Sequence, residues 1–120
     1  MNHTIILCGG KGDRMGAGVN KVLLVLEGKP VIYYAIKPFE DSELIDTITV
    51  VANENDTGHI RACIDKYGFK KVVKIVEGGR KRQDSVHNGL ISLNAKDNDI
   101  VFIHKNIVFE NQLVIYLFKK

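Results

Sequence analysis

The apolar residues of this chain fall into short runs separated by longer amphipathic segments. Four runs are rich in valine and isoleucine and carry few charges, which is typical of strands buried on both faces of a sheet. They cover residues 4–8, 47–52, 72–77 and 100–104. Helical patterns lie between them, at residues 30–39, at residues 56–67 and from Asp84 or Ser85 to about residue 93. We therefore predict an α/β fold: a Rossmann-like, mostly parallel sheet with helices on both faces.

Local signals mark where these helices begin and end. Pro30 suits a first helical turn, and Gly68 is placed to end the second helix. Asp84 and Ser85 are both residue types that cap a helix, so either can begin the third.

Two loops rich in glycine and basic residues each follow a predicted strand. Residues 9–16 read GGKGDRMG and are followed by Lys21, whereas residues 78–82 read GGRKR. Glycines let backbone N–H groups approach an anion closely, and lysine and arginine neutralise its charge. Because the carboxyl ends of parallel strands meet at one edge of the sheet, we expect both loops to form one composite site there. The pattern predicts a nucleotide or sugar-phosphate ligand.

Two common phosphate-binding motifs are absent. A P-loop requires Ser or Thr after its Gly-Lys pair, but Pro30 follows Lys29. The dinucleotide fingerprint requires a third glycine where Met15 stands. What remains is a GGxGxRMG pattern followed by a lysine.

The composition narrows the class of protein. The 120 residues suffice for one domain, and 45% are hydrophobic, which argues against disorder. A net charge of +3 is mild for a nucleic-acid binder, although the basic residues 80–82 leave that as a weaker alternative. Cys8 and Cys63 show no metal-binding spacing, so we expect reduced, buried thiols. Without a targeting signal or an apolar run of membrane length, we expect a cytoplasmic protein with no membrane partner.

The first loop resembles the GGxGxRMG…K segment of sugar-phosphate and polyol-phosphate nucleotidyltransferases. Residues 77–90, EGGRKRQDSVHNGL, are very similar to the GGxxRxxSVxxGL segment of the cytidylyltransferases, and GKPV at residues 28–31 matches a further family segment. The resemblance runs from residue 4 to residue 104. It is strongest to the IspD family of 2-C-methyl-D-erythritol 4-phosphate cytidylyltransferases, and the ribitol-5-phosphate cytidylyltransferases are the nearest alternative.

This resemblance implies a reaction and a set of site residues. The family joins CTP to a polyol phosphate in the isoprenoid precursor pathway, releases pyrophosphate, uses Mg²⁺, and assembles as a homodimer. Arg14 and Lys21 match the two catalytic cations that contact the triphosphate. The matching nucleotide-binding positions are Gly9, Gly10 and Gly12 around the phosphates, Gly79 and Ser85 at the cytosine base, and Arg82 in the same loop.

Less specific interpretations of these residues stay open. Ser85 can be only a helix cap, and Asp84 can pair with Arg82 on the surface. His3 and His59 carry no sign of a partner in the sequence.

The resemblance breaks after the fourth strand. The family continues with an HDxxRP segment whose aspartate helps to hold Mg²⁺, but here Lys105 follows His104. A lysine cannot ligate Mg²⁺. Residues 105–120 form an apolar tail without a clear turn. We expect residues 1–104 to be the CTP-binding half of a truncated enzyme with little or no activity, residues 105–120 being divergent. The alternative is a non-catalytic nucleotide-binding or interaction module.

Overall fold

The computed structural model describes residues 1–8, 21–107 and 110–117, and for Lys21 and residues 105–117 it describes the backbone alone. In chain order the strands and helices are β1 (Asn2–Leu7), β2 (Val25–Leu26), β3 (Lys29–Pro30), α1 (Val31–Asp41), β4 (Thr47–Ala52), α2 (Thr57–Tyr67), β5 (Val72–Glu77), α3 (Arg82–Ser92), β6 (Ile100–Ile107) and β7 (Glu110–Leu117). Short 3₁₀ turns cover Lys21–Leu23 and Glu54–Asp56.

The main sheet has the strand order β5-β4-β1-β6-β7. The first four of these strands run parallel, and β7 pairs antiparallel with β6. This confirms the predicted mostly parallel α/β fold. The central strands β1 and β4 are buried on both faces, as their composition indicates. The prediction of two buried faces is wrong for β5, because it is an edge strand and its Val73 is 55% exposed.

Helices cover both faces of this sheet. The larger core cluster joins α1 and α2 to one face and includes Ile6, Ile36, Val50 and Ile60. The smaller cluster includes Ile5, Val51 and Ile103, with residues of α3 packed against it. Both cysteines are buried and free, as predicted, and burial raises the pKa of the Cys63 thiol. Among the described residues, no helix is long and apolar enough to cross a bilayer.

The predicted end of α2 is confirmed, the start of α1 falls one residue after Pro30, and the predicted start of α3 is wrong. Pro30 precedes α1 as its N-cap, and α2 ends at Gly68, whose φ of 65° is left-handed. Helix α3 begins at Arg82, not at Asp84 or Ser85. Asp84 is its third residue, and there its carboxylate accepts a hydrogen bond from the N–H of Lys81 at 3.2 Å. A carboxylate in the first turn can serve a helix end without being the cap.

The strand predicted to end at His104 continues to Ile107, and residues of the tail form β7. The register pairs Ile100 with Leu117 and Ile107 with Glu110. An apolar segment that reads as a tail locally thus completes a hairpin, because strand pairing supplies hydrogen-bond partners for its backbone. The boundary expected after residue 104 falls inside β6, and the extent of the nucleotide-binding unit stays a prediction.

A buried polar cluster lies at the amino ends of the parallel strands. His3 Nδ1 is 2.7 Å from Thr47 Oγ1, and His3 Nε2 is 3.0 Å from Asp99 Oδ2. The α-ammonium of Met1 and the N–H of Lys96 also donate to Asp99. These hydrogen bonds, that of the α-ammonium first, hold the pKa of Asp99 well below its usual range. The sequence carries no sign of these partners of His3, which come together only in the fold.

Candidate functional site

The loop between β5 and α3 lies at the carboxyl edge of the sheet. The N–H of Gly78 donates to the carbonyl of Ala52 at 2.9 Å, so the loop is tied to the end of β4. Similarly, the N–H of Cys8 donates to Val51 at 2.7 Å and brings the end of β1 beside that of β4. The first glycine-rich loop begins directly after Cys8 in the chain. The ends from which the two loops start therefore lie on either side of the end of β4, at the same edge of the sheet.

Ser85 connects the start of α3 to this loop. Its side chain is buried at 5% exposure, and its hydroxyl accepts a hydrogen bond from the N–H of Gly79 at 3.1 Å. A serine hydroxyl has one proton to donate in addition to its lone pairs. Within the described part of the chain the hydroxyl donates to no acceptor, so its proton can serve an acceptor outside the loop.

Both glycines of the loop are required by close approach. A Cβ on Gly78 would lie 2.8 Å from Ser85 Oγ, and a Cβ on Gly79 would lie 2.3 Å from the Cβ of Asp84. At Gly78 the Ser85 side chain would have to move, whereas at Gly79 the backbone of the loop or of α3 would have to shift. The loop can pack this closely against α3 only because it has no side chains at these positions.

Three exposed cations surround the start of α3: Arg80, Lys81 and Arg82. Among the described residues none of them forms an ion pair, and Asp84 accepts from the Lys81 backbone, so the suggested pair between Asp84 and Arg82 is not formed. The amino terminus of a helix carries partial positive charge, which adds to that of these side chains. The arrangement favours an anionic ligand.

The remaining predicted site residues are described only in part. Lys21 begins the 3₁₀ turn that leads to β2. Gly9, Gly10, Gly12 and Arg14 lie outside the described residues. The structure thus brings together Gly79, Arg82 and Ser85, and the contribution of the first loop to a composite site stays a prediction.

No group of three histidine, cysteine, aspartate or glutamate side chains among the described residues could hold a metal ion. Position 105 pairs in register with Leu7, at the carboxyl end of β1. Its neighbour His104 is half-buried against the ring of Phe39, and burial lowers the pKa of the imidazole.

Sequence reasoning missed Asn88, whose side chain also reaches the loop. Its Nδ2 donates to the carbonyl of Glu77 at 3.2 Å. Its position three residues after Ser85 on α3 was an available signal, since residues at that spacing share a helix face. Close by, a groove of about 440 Å³ runs between α2 and β5 and is lined by Glu54, Thr57, Gly58, Arg61, Ile75 and Glu77.

Comparison with known proteins decides the family. Residues 2–111 match the profile of IspD, 2-C-methyl-D-erythritol 4-phosphate cytidylyltransferase. The chain belongs to the IspD family. Its members are nucleotidyltransferases, which confirms the resemblance seen in the two loops.

IspD relatives match the chain over most of its length but over less than half of their own. The 2-C-methyl-D-erythritol 4-phosphate cytidylyltransferase of Clostridium botulinum (strain 657 / Type Ba4) is 45% identical over 103 residues, which are 86% of this chain and 44% of that protein. The Clostridium perfringens (strain SM101 / Type A) protein of the same name is 46% identical over 101 residues, 84% of this chain and 44% of its own.

Solved IspD structures share the fold. The crystal structure of Francisella tularensis IspD has a TM-score of 0.64 at 28% identity and covers 88% of this chain, which spans 43% of it. The 4-diphosphocytidyl-2C-methyl-D-erythritol synthase of Anaerococcus prevotii DSM 20548 has a TM-score of 0.71 at 21% identity, over 89% of this chain and 43% of its own. The second likeness concerns the fold alone.

Proposed function

We propose that this chain is the CTP-binding half of a cytidylyltransferase that transfers CMP from CTP to a polyol phosphate, 2-C-methyl-D-erythritol 4-phosphate, in isoprenoid precursor synthesis. The observation that carries the proposal is the loop at the end of β5, where the N–H of Gly79 bonds to Ser85 and Arg82 begins α3. Membership of the IspD family supports the same ligand. A cytoplasmic location and a homodimer remain predictions from the sequence.

The proposed reaction is a displacement at phosphorus. A phosphate oxygen of the acceptor bonds to the α-phosphorus of CTP while the bond from that phosphorus to the bridging oxygen breaks, and pyrophosphate leaves with the electron pair. Negative charge grows on the non-bridging and leaving oxygens, so fixed cations stabilise the transition state. We assign this role to Arg14 and Lys21, with Gly9, Gly10 and Gly12 donating backbone N–H groups to the phosphates.

The β5–α3 loop is proposed to bind the base. Cytosine presents acceptors at N3 and O2, and the free proton of the Ser85 hydroxyl suits either of them. Gly79, which packs closely against α3 because it has no side chain, is proposed to present its backbone to the base. Arg82 is exposed beside the same loop and suits the triphosphate or the ribose.

The residues present do not fit the magnesium site that the family resemblance implies. Position 105 is a lysine, which has no oxygen with which to ligate Mg²⁺, and the described residues contain no group of three metal-ligating side chains. We therefore derive no step through a metal. Because position 105 is a lysine, the second candidate is a chain that binds nucleotide without catalysing transfer. We expect these 120 residues alone to release pyrophosphate slowly or not at all.

Calorimetric titration of the 120-residue chain with CTP tests the proposal. We expect binding that weakens by about 10-fold or more in Arg82→Ala, since a hydrogen bond to a charged group contributes about 1.5–3 kcal/mol. Ser85→Ala should also weaken it. The matched control is Lys66→Ala, which removes an exposed cation in the last turn of α2. Absence of binding at millimolar CTP by the folded chain would reject both nucleotide-binding candidates.

Pyrophosphate release separates the two candidates. The chain is incubated with CTP, Mg²⁺ and 2-C-methyl-D-erythritol 4-phosphate, and the product is measured. CTP binding without release supports the non-catalytic candidate. Release at a rate typical of enzymes, about 1 s⁻¹ or faster, would contradict the expectation of low activity.

A further inference from the structure

Three side chains on the first two turns of α3 hold the backbone of the β5–α3 loop. Asp84 accepts from the N–H of Lys81 at 3.2 Å, Ser85 accepts from the N–H of Gly79 at 3.1 Å, and Asn88 donates to the carbonyl of Glu77 at 3.2 Å. Ser85 has a proposed role at the base and Asp84 serves the start of α3, whereas neither the family resemblance nor the proposed mechanism assigns a role to Asn88.

The Asn88 contact acts on a peptide group that is also held from its other side. The carbonyl of Glu77 and the N–H of Gly78 belong to the same planar peptide unit. Asn88 donates to that carbonyl from α3, while the N–H donates to Ala52 of β4 at 2.9 Å. The orientation of the plane is thereby determined by a helix on one side and a strand on the other. The next peptide is held through the bond from Gly79 to Ser85.

Such restraints matter here because the restrained residues are glycines. Gly78 and Gly79 lack a Cβ and can adopt many backbone conformations, so partners outside the loop must select one of them. Helix α3 is itself held close to the sheet at Gly89, where a Cβ would lie 3.1 Å from Ile5 and from Val51. This close approach brings Asn88 within reach of Glu77.

The choice of asparagine at position 88 is not explained by helix stability. Asparagine is a weak helix former, because its amide competes for backbone hydrogen bonds, and Asn88 lies inside α3. An alanine there would make a better helix. The Asn88 side chain contributes instead through its Nδ2 hydrogen-bond donor. Aspartate has the same shape but lacks this donor.

We propose that Asn88 is a positioning residue for the nucleotide-binding loop, acting through the Glu77–Gly78 peptide on the shape of Gly78 and Gly79. The nucleotide part of this inference rests on the proposed function, whereas the effect on the loop does not. A loop already held in its binding shape loses less conformational freedom when ligand binds, so binding is tighter. A loop of defined shape also discriminates better between bases.

The test compares Asn88→Asp and Asn88→Ala with His87→Ala, which changes the exposed neighbour on the same helix. Amide hydrogen exchange of the ligand-free chain is measured first. We expect exchange at Gly78, Gly79 and Lys81 to rise about 3- to 10-fold in both Asn88 variants, the range that loss of one ordinary hydrogen bond gives. The β1 amides should not change, and His87→Ala should match wild type.

Nucleotide affinity is measured next, with CTP and UTP. We expect the Kd for CTP to rise about 3- to 10-fold and the preference for CTP over UTP to fall, a change that lower overall stability does not produce. Asn88→Ala keeps the measurement possible if the aspartate variant unfolds. Unchanged loop exchange in both variants overturns the proposal, as does faster exchange with unaltered affinity and preference. If wild type binds neither nucleotide, the proposed function fails while the exchange result still decides the role of Asn88 in the loop.

Discussion

The polar groups at the two edges of the parallel sheet differ in their burial and in their pairing within the protein. At the amino edge, His3 and Asp99 are 6% and 8% exposed, and each hydrogen-bonds within the protein. At the carboxyl edge, the basic residues 80–82 are exposed, and within the described part of the chain they form no ion pair. Both edges carry charge, but the buried His3 and Asp99 are paired within the protein, whereas residues 80–82 form no ion pair among the described residues.

This difference separates residues that hold the fold from residues available to a ligand. The hydroxyl, imidazole and carboxylate of Thr47, His3 and Asp99 form a series that superficially resembles a nucleophile, base and orienting acid. Its central histidine and its carboxylate are buried, however, and their hydrogen bonds join β1, β4 and the segment before β6. We assign this cluster to stability, and the binding function to the carboxyl edge.

The largest effect on stability and on CTP binding is expected from adding a methyl group to the loop at the carboxyl edge. Gly79→Ala places a Cβ 2.3 Å from that of Asp84, so the loop or the start of α3 must move. We expect loss of about 1–3 kcal/mol in the free energy of unfolding, together with loss of CTP binding. Urea unfolding and calorimetric titration measure the two effects.

The matched control is Gly58→Ala on α2, where an added Cβ meets nothing within 4 Å. This change should leave stability equal or raise it by up to about 1 kcal/mol, since alanine is the better helix former. If the two alanine variants unfold at the same urea concentration, the close packing of the β5–α3 loop is contradicted.

The amino edge should govern the dependence of stability on pH. The pKa of Asp99 is lower in the folded chain than in the unfolded one, so its contribution to stability is present above the unfolded value of about 3.9 and is lost as the pH falls through the folded value. Asp99→Asn should therefore lower stability at pH 7 and flatten the loss of stability below about pH 4. Urea unfolding between pH 3 and pH 7 measures both effects.

Nucleotide binding gives the contrast with the carboxyl edge. CTP affinity at pH 7 should be the same in Asp99→Asn as in wild type, because the variant residue lies at the opposite edge of the sheet. If the unfolding free energy of Asp99→Asn falls below about pH 4 as steeply as that of wild type, Asp99 does not carry the pH dependence of stability.

Much of this contrast could be predicted from local sequence. Strands β4 and β5 match their predicted bounds to the residue because valine and isoleucine dominate them, and Gly68 marks the end of α2. The alternation of strands and helices correctly places the β5–α3 loop at the carboxyl edge. The start of α3 was missed because Asp84 is equally suited to the cap and to the first turn of a helix.

The remaining features depend on contacts between distant parts of the chain. His3 and Asp99 are 96 positions apart, and β7 becomes a strand through its pairing with β6. Asn88 contacts a backbone carbonyl 11 positions away, which no side-chain motif records. Local pattern therefore predicts the four parallel strands and the three helices, while β7 and these partners emerge only once the sheet is assembled.

Amide chemical shifts of the 120-residue chain titrated with CTP test the central claim most directly. The account predicts saturable shifts in Gly78, Gly79 and Arg82, at the carboxyl edge, and unchanged shifts in His3 and Thr47, at the amino edge. The claim is contradicted if the folded chain shows no saturable shift at the carboxyl edge, or if the shifts cluster at the amino edge instead.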